Sequence, residues 1–482
     1  MFTSISPPRA ERTATIHLLC GSDVESFIKS VYANEVDIPS IQGFRISSGS
    51  ITQSIGDVFA GLIVKHLGVL KIRHLEIHHA EEFLGSSSSH RLVHAFAMCS
   101  TITHLILDEV GDRARDLLVK SRFSLVSENL AMPDLDDEPG ESDSESEQDP
   151  SSEFDSDSPR SNRQRDAEHH ARHNPIVLLR NSRATLESLT TTSCRTALAL
   201  GPTAKATTKD LSFKHVYPRL TALALHQCAD VPPTFRLVSA FPHLRTLHAS
   251  FALDAIMDAG EAAGGFRARR RANEGKQKVF GTWRALEACH APLLEHYLLG
   301  LACRVARLHV QGDHMDAGML GEVLRRTAPA CVRLQGFDAD VFGPQAGLAD
   351  ALAQLADDVV GGLAELDVAL DVGSTLPADH IDVEQMLGNL ADALQPLRIH
   401  TFRLSLAVCI HGSPRPPLDA VPLCAQERYL EILDLDALAT RIRTSVPSLQ
   451  TVTIRLSGHS TRPLATAVHE VGRDHAVPMV CD

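Results

Sequence analysis

A search for residues that could perform chemistry starts with nucleophiles, metal ligands and phosphate loops. The 482-residue chain has no G-x-S-x-G elbow, Walker A loop, H-E-x-x-H helix or paired Cys/His arrangement in usable context. Gly361-Gly362 precedes an apolar strand-like stretch rather than following one, the wrong side for cradling a phosphate. His169, His170 and His173 have no carboxylate or thiol neighbours at ligand spacing, so no metal is expected. The ten cysteines contain no C-x-x-C pair and sit in apolar segments, as Cys228 does. They read as free buried thiols of a reducing compartment, so the expected location is cytoplasmic, nuclear or both. No catalytic residue and no cofactor is expected.

What remains is the chemistry of recognition. Arg73, His74, Glu76, Arg245, His248, Arg307 and His309 alternate with aliphatic residues, and Glu365, Asp367, Arg403, Glu431 and Asp434 do so further on. If the aliphatics face a core, these side chains face solvent on the other side of a strand, where they can hold a partner. Their sign drifts from basic to acidic along the chain, which would select a partner of opposite polarity. A second feature is the run Arg267, Arg269, Arg270 and Arg271, followed by Lys276 and Lys278. It falls in a long gap between strand motifs and is expected to be a surface basic loop. A third is the segment 134–157, with twelve Asp or Glu and no Lys or Arg. It is expected to be disordered, because it has too little apolar surface to offset chain entropy. Ser142, Ser144, Ser146 and Ser152 each have an acidic residue three positions on, the spacing acidophilic kinases prefer, which makes them phosphorylation candidates.

The elements that must position these residues follow from a repeat. L-x-x-L-x-L and its aliphatic variants recur at Ile72–Leu75–Ile77, Ile102–Leu105–Leu107, Leu220–Leu223–Leu225, Val305–Leu308–Val310, Leu363–Leu366–Val368, Ile399–Phe402–Leu404, Leu430–Leu433–Leu435 and Leu449–Val452–Ile454. Weaker copies include Leu286–Cys289–Ala291 and Leu334–Phe337. First positions at 13, 41, 72 and 102, and again at 305, 334 and 363, lie about 30 residues apart. Between them, Ile55, Phe59 and Leu62, or Met386, Leu387, Leu390 and Leu394, recur at helical spacing, with Ser50 and Asp382 as candidate N-caps. The expected fold class is therefore α/β: a curved leucine-rich-repeat solenoid with a parallel sheet on the concave face and helices on the convex face. The expected organisation is repeats over 1–131, an acidic insertion over 132–175, and repeats over 176–482 with the basic loop near 262–280.

The stretches Tyr217-Pro-Arg-Leu-Thr-Ala-Leu, Phe241-Pro-His-Leu-Arg-Thr-Leu and Val446-Pro-Ser-Leu-Gln-Thr-Val share one form, with a proline two residues before the first Leu of the strand. This resembles the repeat of divergent fungal F-box/leucine-rich-repeat-like proteins. The resemblance implies a repeat region that holds the target of a ubiquitin ligase, with a ligase adaptor as a further partner. It is carried by the repeats alone, because Pro7-Pro8-Arg9-Ala10-Glu11 leads directly into the strand-like Thr13–Leu19, with no recognisable F-box.

Composition narrows the rest. The net charge is −14, aromatics make up 5% and there is one Trp, which argues against a nucleic-acid or stacking platform. No apolar run approaches the length a membrane span needs. The expected function is a non-enzymatic scaffold binding a protein partner. The alternative is an α/β enzyme, whose doubly wound sheet would show the same strand–helix alternation.

Overall fold

A computed structural model describes residues 14–132, 174–196, 215–262, 264–312, 317–338, 362–372, 382–408, 423, 425–459, 462 and 464–470. The acidic segment with its four serines, the histidines at 169–173 and Gly361 lie outside them. Contacts divide the chain into two units, one of Met1–Leu244 with Ser250–Glu261, the other of Arg245–Ala249 with Ala262–Asp482.

In the first unit the strands are β1 (Ala14–Leu18), β2 (Ile41–Ile46), β3 (His74–Ile77), β4 (His104–Leu107), β5 (Ser127–Ala131), β6 (Ser188–Thr192) and β7 (Ala222–Cys228). Each pairs in parallel with the next in chain order. The second holds β8 (Thr246–Phe251, to Ala249), β9 (Ala285–Pro292), β10 (Arg304–Gln311), β11 (Cys331–Asp338), β12 (Glu365–Asp371), β13 (Thr401–Ala407), β14 (Thr451–Ser457) and β15 (Leu464–Glu470). Among the described residues the fold is thus α/β, and within each unit the order of the strands in the sheet is the chain order. It is mostly parallel, the exception being β15, which runs antiparallel to β14.

Several parallel strands in both units are entered in the same way. The amides of Thr103 and His104 both donate to the Arg73 carbonyl, and those of Val126 and Ser127 to Thr103. Glu187 and Ser188 likewise share the carbonyl of Val126. The second unit repeats the pattern, with Ala364 and Glu365 on Ala330, His400 and Thr401 on Ala364, and Gln450 and Thr451 on His400. A carbonyl has two lone pairs, so one oxygen can start each new strand.

Alternation then separates two faces. On β12 and β14 every second residue is buried, and Leu75 and Ile77 are buried on β3 while His74 and Glu76 stay partly exposed. Helices carry the complementary apolar stripes. In the helix Gln53–His66, Phe59, Leu62 and Ile63 are buried. In Val383–Leu394 the buried set is Met386, Leu387, Leu390 and Leu394, and Asp382 caps it through a 2.9 Å bond from the Gln385 amide. The predicted Ser50 cap is not formed: the helix starts after Thr52, whose side chain makes no capping bond.

Two expected elements are corrected. The copy at Leu430–Leu433–Leu435 is not a strand: Ala425–Ile432 and Leu435–Ser445 are helices. Three-residue spacing suits a helix as well as this strand motif, and Asp434 decides the matter by accepting the Ala437 amide at 2.9 Å. Leu435, Leu438, Ala439 and Ile442 then form a buried helical stripe. Replacing Asp434 by alanine should cost about 1 kcal/mol in urea unfolding, the usual worth of a side-chain N-cap. The basic loop is also a helix, Gly265–Phe280. It is rich in strong helix formers and free of proline, and its buried stripe is polar: Arg270, Asn273 and Gln277.

That stripe joins it to the helix Leu293–Leu299. Asn273 donates to the Leu298 carbonyl at 2.8 Å and Gln277 to the Gly300 carbonyl at 2.7 Å, while the Ala302 amide donates to Gln277 at 3.2 Å. Gly300 has φ of +54°, and a Cβ there would stand 3.0 Å from the Arg270 carbonyl oxygen. Only glycine lets the two helices approach this closely.

Candidate functional site

The exposed strand face of the second unit gathers the largest set of expected recognition residues. Register places His248, His290, His309, Arg333, Asp367, Arg403 and Thr453 in one row across β8 to β14. Successive strands stand roughly 5 Å apart, so the row is a continuous band of polar side chains rather than a set of isolated ones. Arg307 and Glu365 lie two residues earlier on their strands, in the neighbouring row.

The imidazoles touch. Ring centroids of His248 and His290 are 6.0 Å apart and those of His290 and His309 are 5.0 Å apart. Nδ1 of His290 lies 2.9 Å from Nδ1 of His309, whose Nε2 is 3.1 Å from Gln335 Oε1. Partial burial holds the pKa of both below the usual histidine value. Arg307 and Arg333 push His290 the same way, while His290 itself and Arg333 do so for His309. The pair is therefore neutral near pH 7, with one Nδ1 donating to the other. Behind them His296 is buried and donates from Nε2 to the His309 carbonyl at 2.9 Å. Burial pulls its pKa down to about 4.

Charges on this face are paired by sign across strands. Arg333 lies 3.7 Å from Asp367, Arg403 3.3 Å from Glu365, and Arg245, just before β8, 3.3 Å from Glu287. All are well exposed except Asp367, so each pair adds little stability. The drift from basic to acidic read from the sequence is thus broken up by local pairs. The first unit shows the same habit: Glu76 on β3 lies 3.3 Å from Arg45 and 2.8 Å from His78, with His74 at 3.7 Å. Arg73 precedes β3 and is exposed.

Of the expected residues, His248, Arg307, His309, Glu365, Asp367 and Arg403 therefore share one face, with Arg245 at its edge. Arg73, His74 and Glu76 sit on the face of the first unit. Glu431 lies on the helix Ala425–Ile432 and Asp434 caps the next, so neither belongs to a strand. Arg267, Arg269, Arg270, Arg271, Lys276 and Lys278 all lie on the helix Gly265–Phe280.

His290, Arg333 and Gln335 were missed. His290 lies between two inward positions of a weak copy, where alternation alone could have found it. Arg333 and Gln335 were hidden by a misplaced register: Leu308 aligns with Val332 and Leu366, not with Phe337.

For catalysis the face offers little. Among the described residues no group of three or more His, Cys, Asp or Glu side chains is placed to hold a metal ion. Cys289, 3.8 Å from His296, is buried, and burial drives its thiol pKa far up, so it is a poor nucleophile. Cys194 and Cys228 are buried and free, 3.3 Å apart. No helix among the described residues is long and apolar enough to cross a membrane. Comparison with models of known families and with curated proteins finds no match to this chain.

Proposed function

We propose that this chain is a non-enzymatic recognition scaffold that holds a protein partner on the exposed face of its strands. The observation that carries the reading is the row from His248 to Arg403, at one register and half-buried or exposed along its length. Such a band offers neutral imidazoles for hydrogen bonding beside arginines and carboxylates whose surface pairs are cheap to exchange for a partner's charges. The shared-carbonyl entry of successive strands supports a repeat architecture of the leucine-rich type, curved as a solenoid. In that setting the strand face is the target-holding surface, and the chain serves as the substrate-binding part of an F-box-type ubiquitin-ligase receptor.

The test is recovery of binding partners under native conditions with the full chain and with Arg333→Glu plus Arg403→Glu. A stoichiometric protein partner that the wild type holds and the variant loses by at least about tenfold, the effect of misplacing charge at an interface, supports the reading. Equal retention by both chains overturns it. Co-recovery of a ligase adaptor decides the ubiquitin-ligase assignment; a partner without an adaptor leaves scaffolding alone.

A further inference from the structure

Away from the strand face, three helices of the second unit enclose a cleft of about 360 Å³. Gly265–Phe280 supplies Arg267, Arg270 and Arg271, and Ala317–Thr327 supplies Arg325 and Arg326. Two carboxylates, Glu274 and Glu322, and the ring of Tyr297 complete the lining. Five guanidinium groups thus face two carboxylates, an excess of positive charge held on helices rather than on a loop.

Arg270 anchors the arrangement. Its Nε donates to Glu274 at 2.8 Å and lies 3.4 Å from Glu322. Its Nη2 donates to the Glu322 carbonyl at 3.2 Å, and its guanidinium carbon sits 4.4 Å from the centroid of the Tyr297 ring. The side chain is 5% exposed, yet Nη1 has no hydrogen-bond partner. A buried donor without an acceptor costs free energy that an oxygen entering the cleft would recover. Arg326 lies 3.7 Å from Glu274, and Arg267 hydrogen-bonds Tyr297.

We propose that this cleft is a binding site for a phosphate dianion, free or carried as a monoester. Guanidinium forks match phosphate oxygens bidentately, and several forks can converge on one phosphate because it offers more acceptor oxygens than a carboxylate. Glu274 lies within 4 Å of both Arg270 and Arg326, and the lining as a whole still carries more positive than negative charge. The site is separate from the strand face and does not depend on the scaffold reading.

Calorimetric titration of the full chain with inorganic phosphate tests it, alongside Arg271→Gln plus Arg325→Gln. Both residues are exposed, so the fold should survive, as an unchanged unfolding temperature would show. The expected result is saturable one-to-one binding, weakened about tenfold for each arginine removed. A serine-phosphorylated synthetic peptide covering residues 140–150 is the second probe. Competition between it and inorganic phosphate identifies an ester source, and phosphate binding alone identifies a free one. Binding without saturation, or binding indifferent to both substitutions, overturns the site.

Discussion

Truncating Phe59 to alanine is expected to lower the unfolding free energy of the first unit by about 3–5 kcal/mol. Its ring lies edge-on to four others, with centroids 6.1 Å from Phe27, 5.9 Å from Phe44, and 6.3 Å from both Phe83 and Phe96. All five phenylalanines are buried, Phe59 completely. They come from four helices, Gly21–Tyr32, Gln53–His66, Ala80–Gly85 and Arg91–Ala97, and from the strand β2, so no single neighbour can move to fill the space. Because a domain has only about 5–15 kcal/mol in total, this one change should leave the unit marginal. Urea unfolding followed by far-ultraviolet circular dichroism measures it. A loss below about 1 kcal/mol would mean that the rings are not packed together.

The opposite sign is expected at Glu128. It sits on β5 opposite Leu105 of β4 and Leu189 of β6, at a position where the repeat places an aliphatic residue. The residue is 2% exposed, neither carboxylate oxygen has a hydrogen-bond partner, and burial drives its pKa well above the ordinary value of 4.5. The folded chain therefore keeps a proton that the unfolded chain releases. Folding stability should fall as pH rises from near 4.5 towards the raised folded pKa, by up to about 1.4 kcal/mol per pH unit, and stop falling above it. Glu128→Leu removes both that slope and the unsatisfied group, and should raise stability at pH 7 by about 1–3 kcal/mol or more. A variant no more stable than the wild type, with the same pH slope, would show that the carboxylate is satisfied after all.

Glu128 also marks where the sequence stops being legible. Strands whose inward positions are all aliphatic, such as β3, β4 and β12, could be read directly, as could the helix Val383–Leu394 with its cap. β5 could not, because a glutamate stands in the motif. The helix Gly265–Phe280 escaped for the related reason that its buried stripe is arginine, asparagine and glutamine, held by hydrogen bonds and ion pairs rather than by apolar area. At 430–435 the pattern was real but ambiguous, and a capping aspartate chose the helix. On the candidate face, His248, His309 and Arg403 followed from alternation. Arg333 required the true register, which hydrogen bonding sets and the spacing of leucines does not.

On the proposed function the strand face, and not the helical side, meets the partner. A photo-reactive phenylalanine analogue placed at Thr453 reports on the face, since Thr453 continues the row beyond Arg403. One placed at Thr440, exposed on the helix Leu435–Ser445, reports on the other side. With the partner bound, irradiation should yield a cross-link from Thr453 and none from Thr440. A cross-link from Thr440 with none from Thr453 would contradict the account.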